Sequence, residues 1–159
     1  PRHYVTHIMS GKCKVRLKDV NGAIEDFTIA IECNPKIAPA YYSRAKAKYD
    51  FSNLRGAIED FTKAIEIDPE YVDAYDFRGL SKEMIADYEG AIEDFTKAIK
   101  IDPKHAISYE YRGCAKEDLE DFAAAIEDYT KAIEIDPENS FAYTIRGDAT
   151  KIKRLRGCN

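Results

Sequence analysis

Gly22-Ala23-Ile24-Glu25-Asp26-Phe27 decides the fold, because the chain repeats it. The block returns as Gly56 to Phe61, as Gly90 to Phe95 and, with small changes, as Ala124 to Tyr129. Each step is 34 residues, and Pro35, Pro69, Pro103 and Pro137 keep the same step. Four blocks in one register imply duplicated supersecondary units that stack on one another.

Each period predicts two helices. From Tyr88 to Lys100, apolar residues fall at Tyr88, Ala91, Ile92, Phe95, Ala98 and Ile99, the spacing of one helical face. Asp87 precedes this run as an N-cap, and Asp19, Asn53 and Asp121 hold the same place in the other copies. The closing Asp-Pro, Asn-Pro at 34–35, stops the helix because a residue before proline is pushed out of the α region. A second segment follows, for example Val72 to Ile85, with Tyr75, Arg78, Gly79 and Lys82 recurring along one side. One helix pair cannot bury its apolar face alone, so neighbouring pairs must stack. The expected fold is all-α, a quasi-linear, curved solenoid of stacked helix pairs without a central pocket.

The 34-residue period, with small and aromatic residues at fixed positions, resembles the tetratricopeptide repeat, and the resemblance implies a right-handed α-solenoid of stacked antiparallel helix pairs. Setting the proline at position 32 gives repeats 4–37, 38–71, 72–105 and 106–139 and a terminal helix 140–155, read as a single domain over 1–159. The family's small residue at position 8 is matched by Gly11, Ala45, Gly79, Gly113 and Gly147. Its alanine at position 20 is matched by Ala23, Ala57, Ala91 and Ala125, and its aromatic at position 24 by Phe27, Phe61, Phe95 and Tyr129. Position 7, usually aliphatic in the family, is Arg44, Arg78, Arg112 and Arg146 here, and position 23 is Asp26, Asp60, Asp94 and Asp128. Each arginine is expected to pair with such an aspartate. His7, where the other copies carry tyrosine, reads as a variant core residue.

Charge is uneven. Residues 1–18 carry five Lys/Arg and no acid, residues 151–159 carry four and no acid, and the stretch between holds 15 basic against 29 acidic residues. This acidic middle argues against nucleic acid as a partner. No apolar run approaches membrane-spanning length, and the start lacks the apolar core of a signal peptide. Cys13, Cys33, Cys114 and Cys158 form no zinc spacing with the histidines and read as reduced thiols of a cytoplasmic protein. The carboxylates recur with the period, and the glycines are single and 34 apart rather than gathered in a phosphate loop. The sequence therefore predicts no enzyme, no metal and no cofactor.

The resemblance implies that the first helix of each repeat lines a concave groove that binds a protein or peptide. The residues at its groove positions are Tyr42, Lys46, Tyr49, Asp73, Asp76, Phe77, Leu80, Glu83, Ile107, Glu110, Tyr111, Cys114 and Glu117. Aromatics there would anchor a peptide or helix, and the acids would favour basic flanks. The Lys/Asn/Asn/Lys/Arg set with which one subtype grips chaperone tails is not matched: the corresponding residues are Ile8, Lys12, Ser43, Asp73 and Phe77. The alternative expectation is association of copies through the ends, because the last helix carries Phe141, Ile145, Ile152 and Leu155 without a second helix after it.

Overall fold

The computed structural model describes residues 3–156, so Cys158 lies outside the described residues. Among these residues there are nine helices and no strand: α1 His3–Arg16, α2 Val20–Cys33, α3 Ala38–Asp50, α4 Leu54–Ile67, α5 Val72–Glu83, α6 Tyr88–Ile101, α7 Ala106–Asp118, α8 Phe122–Ile135 and α9 Ser140–Leu155.

The helix ends follow from local chemistry. Asp19, Asn53, Asp87 and Asp121 each accept a hydrogen bond from the backbone N–H three residues on, at 3.0 to 3.2 Å. At the other end Asn34, Asp68, Asp102 and Asp136 leave the helical region, and each side chain accepts from the N–H two residues on, forming the turn into the next helix. The turns inside each pair close differently. Lys18, Ser52, Ala86 and Glu120 sit at φ of 60 to 63°, in the left-handed region. The N–H of the following residue then reaches back to the carbonyl of Lys14, Lys48, Lys82 or Lys116.

The chain forms two compact units, divided between Ser81 and Lys82. In the first, Phe27 is 1% exposed and lies under Gly11, where an added Cβ would meet the ring at 2.6 Å. Phe61 is fully buried and packs with Ala45, Ala57, Ala64 and Ala74. In the second, Tyr129 is fully buried beneath Gly113, and its cluster takes in Phe122, Ala125 and Ala149. Small residues on one helix thus receive the large ring of its pair, and close approach is what keeps position 8 small, glycine at 11 and 113 and alanine at 45. Gly147 differs, with nothing within 4 Å of the place a Cβ would occupy.

Candidate partner-binding face

In the first unit the expected anchors are packed against each other. Tyr42 stacks on Tyr71 at 4.9 Å between ring centroids and meets Phe61 and Phe77 at 5.7 and 6.0 Å. Tyr49 lies edge-on to Phe77 at 5.7 Å. All are half-buried or buried, so Tyr42, Tyr49 and Phe77 brace α3, α4 and α5 rather than stand free as anchors. Burial, then the charge of Asp73, pushes the Tyr71 hydroxyl up to about 12. The Lys46 ammonium sits 5.4 Å from the Tyr49 ring centre and 4.8 Å from that of Phe77, and also pairs with Asp50. Asp73 is exposed and Leu80 half-buried. Asp76 is 3% exposed and so does not flank an open groove as a free acid, which corrects the expectation for it. Lys12, Val15, Arg16, Phe27, Tyr42, Ser43, Lys46 and Ala47 line a cleft of about 260 Å³ between α1 and α3.

In the second unit Ile107 is 44% exposed, whereas Tyr111 is half-buried with its ring 5.6 Å from that of Phe95. Glu110 is 5% exposed and accepts a hydrogen bond from Asn139 Nδ2 at 2.6 Å. It too is built into the packing rather than offered to a ligand. Asp76 and Glu110 occupy the position held by Tyr42 in the second repeat, and that position faces the neighbouring helices. Glu83 and Glu117 are half-buried, and Asp118, which follows Glu117, is exposed. Burial, then Asp118, pushes the Glu83 carboxyl up to about 7. Tyr129 donates its hydroxyl to Glu117 at 2.9 Å, and Cys114 Sγ lies 3.6 Å from the same oxygen. Burial holds the Cys114 thiol above its ordinary value, which disfavours the reactive thiolate.

The periodic charges form a separate array. Arg44 and Arg112 each grip the aspartate of their own repeat, Asp60 and Asp128, through two hydrogen bonds of 2.6 to 2.9 Å. Each guanidinium also lies over the tyrosine three residues before it, Tyr41 or Tyr109. A second cation, Lys14, Lys48, Lys82 or Lys116, joins Asp26, Asp60, Asp94 or Asp128 at 2.7 to 2.9 Å. These lysines recur every 34 residues, so the spacing that points to the arginine–aspartate pairs points to them as well. The first repeat lacks the arginine. There Ser10 donates to Asp26 at 2.6 Å, and His7 Nδ1 lies 3.3 Å from the same carboxylate. His7 is therefore a half-buried polar partner of Asp26, not a core residue.

Two family models described as tetratricopeptide repeat match residues 42–106 and 106–139, together more than half of the 159 residues. The chain belongs to the tetratricopeptide repeat family. Its fold is that of an all-α tetratricopeptide solenoid, as likeness to solved structures also shows. A crystal structure of MamA protein is 26% identical with a TM-score of 0.88, over 98% of this chain and 85% of that one. The tetratricopeptide domain of Arabidopsis OM64 is 25% identical with a TM-score of 0.69, over 72% of this chain and 94% of that one. The first tetratricopeptide domain of Spaghetti, bound to an Hsp90 peptide, is 20% identical with a TM-score of 0.70, over 72% and 91%. No curated protein sequence matches this one. Among the described residues, no tetratricopeptide helix is long and apolar enough to cross a membrane.

Proposed function

We propose that this tetratricopeptide protein is an interaction scaffold whose first helices bind a peptide or helix segment of a partner, residues 1–159 serving as one functional domain. In the second unit the reading is specific: an apolar side chain on Ile107, and basic flanks toward Glu83, Glu117 and Asp118. The observation that carries it is the crowding of those carboxylates. Burial first, and Asp118 second, push Glu83 up to about 7, and an incoming lysine or arginine would supply the counter-charge that this partly desolvated carboxyl lacks. Binding rather than catalysis is also favoured by a Cys114 thiol held protonated. The free thiols of Cys13, Cys33 and Cys114 suit a cytoplasmic setting.

The test is affinity capture from native extract with the parent and with Ile107→Asp/Glu117→Lys, both checked for unchanged melting. A protein held by the parent and lost by the variant supports the reading, and an identical set from both removes it. A second reading, association of copies through α9, rests on Phe141 at 55% exposure and the open space at Gly147. Mass measured by light scattering across a wide concentration range decides it, a constant monomer being the outcome against.

A further inference from the structure

The cleft between α1 and α3 carries a chemistry opposite to that of the second unit. Its floor is apolar, made by Val15, Phe27 and Tyr42, and its rim is cationic, made by Lys12, Arg16 and Lys46. At about 260 Å³ it is below the usual size of a small-molecule pocket and suits one or two side chains.

The rim cations differ from the periodic basic residues of α1, α3, α5 and α7. Arg44, Arg112, Lys14, Lys48, Lys82 and Lys116 all recur with the period and all bind a repeat aspartate. Lys12 and Arg16 fall outside that array. They are exposed, and no carboxylate of the described residues lies in ion-pair range of either. They also stand four apart on one helix, where like charges repel. In the other first helices the same two positions hold Lys46 and Asp50, Leu80 and Met84, Cys114 and Asp118, and Asp148 and Ile152. Only α1 repeats a cation there, beside an apolar cleft and with no acid to neutralise it.

Resting on the reading of the first helices as a partner-binding face, we infer that this cleft receives an apolar side chain from an extended acidic segment of a partner protein, whose carboxylates bind Lys12 and Arg16. Lys46 contributes less, because Asp50 already neutralises it and its ammonium already lies over two rings. The carboxylates would replace the Lys12–Arg16 repulsion with attraction, while the apolar floor supplies the affinity that exposed charges alone lack.

Isothermal titration of the full chain tests this with a short peptide, capped at both ends, in which leucine and phenylalanine alternate with glutamates. A counterpart with lysines in place of the glutamates serves as the control. The acidic peptide binds the parent more tightly than the basic one does at this cleft, and added salt weakens it. Lys12→Gln/Arg16→Gln weakens the acidic peptide about tenfold and flattens its salt dependence. Lys12→Glu/Arg16→Glu abolishes its binding, and thermal melting of both variants verifies that they fold. Failure of the acidic peptide to bind, or equal affinity for the parent and the glutamine pair, overturns the inference. If only the basic peptide binds, and Ile107→Asp weakens it, the partner-face reading stands and the acid-binding cleft falls.

Discussion

Arg44 and Asp60 hold each other through two parallel hydrogen bonds, Nε to Oδ2 at 2.8 Å and Nη2 to Oδ1 at 2.7 Å. They stand 16 residues apart, on the two helices of one repeat. Their side chains are 17% and 6% exposed, so the pair is largely out of water. Such a pair gains less from attraction than distance suggests, because both charges lose hydration. What it adds is directionality: a planar fork fits a carboxylate in one orientation only. Arg112 and Asp128 repeat the geometry.

Removing the shared aspartate should hurt more than removing either cation. Asp128→Ala leaves Arg112 and Lys116 facing each other without a counter-charge, and should cost on the order of 3 kcal/mol. Lys116→Ala leaves the bidentate pair intact and should cost about 1 kcal/mol or less. Urea denaturation of both variants checks the order. Equal midpoints would show that the array contributes no net stability.

The glycine positions should separate by whether a second helix lies opposite. An added methyl at Gly113 would overlap the Tyr129 ring, so Gly113→Ala should cost about 1–3 kcal/mol. Gly147→Ala meets nothing and should stabilise α9 by up to about 1 kcal/mol through helix propensity alone. Thermal melting of the two variants should move in opposite directions.

Stability should respond to pH through two carboxyls of opposite sign. The Lys14 and Ser10 hydrogen bonds, with His7, lower Asp26 from 3.8 to about 2. Its stabilisation is present above 3.8 and is lost as pH falls through 2. Glu83 is raised from 4.5 to about 7, so the folded state binds its proton more tightly than the unfolded chain does. Its stabilisation is full below 4.5 and is lost as pH rises through 7. Asp26→Asn should flatten the acid limb. Glu83→Gln should gain on the order of 1 kcal/mol on the parent at pH 8, after allowance for solvent screening. Denaturation midpoints at pH 3, 5 and 8 test both signs.

Asn139 does two things at once. Its Oδ1 caps α9 by accepting from the Phe141 and Ala142 N–H groups, and its Nδ2 donates to Glu110. Asn139→Ala should cost about 1–2 kcal/mol. Asn139→Asp keeps the cap but sets a carboxylate against the buried Glu110. It should match the parent near pH 4 and fall below it at pH 8. An aspartate variant as stable as the parent at both values would mean that the Glu110 contact carries no weight.

The period, the N-caps, the Asp-Pro stops and the small and aromatic positions were all legible, because each depends on residues near in sequence or at a fixed spacing. The site was legible only in part. Tyr42, Asp76 and Glu110 share a repeat position, yet tyrosine joins an aromatic cluster and the acids are buried. Which partner each meets depends on the neighbouring helices, and spacing within one helix does not reveal it. The left-handed turns at Lys18, Ser52, Ala86 and Glu120 carry no glycine to announce them. The cleft between α1 and α3 needs side chains from two helices to exist at all.

Besides its own repeat's aspartate, Arg44 reaches Thr28 of the preceding repeat at 3.0 Å. Arg78 reaches Thr62 at 3.1 Å, and Arg112 reaches Thr96 at 3.2 Å. Each guanidinium is thus a joint between adjacent repeats, and the loss of one repeat removes a bond from the next. Within each unit this makes local opening contagious, so amide exchange should proceed by whole repeats rather than by single helices. Among the described residues Arg146 meets the Tyr143 ring, and no carboxylate lies in ion-pair range of it.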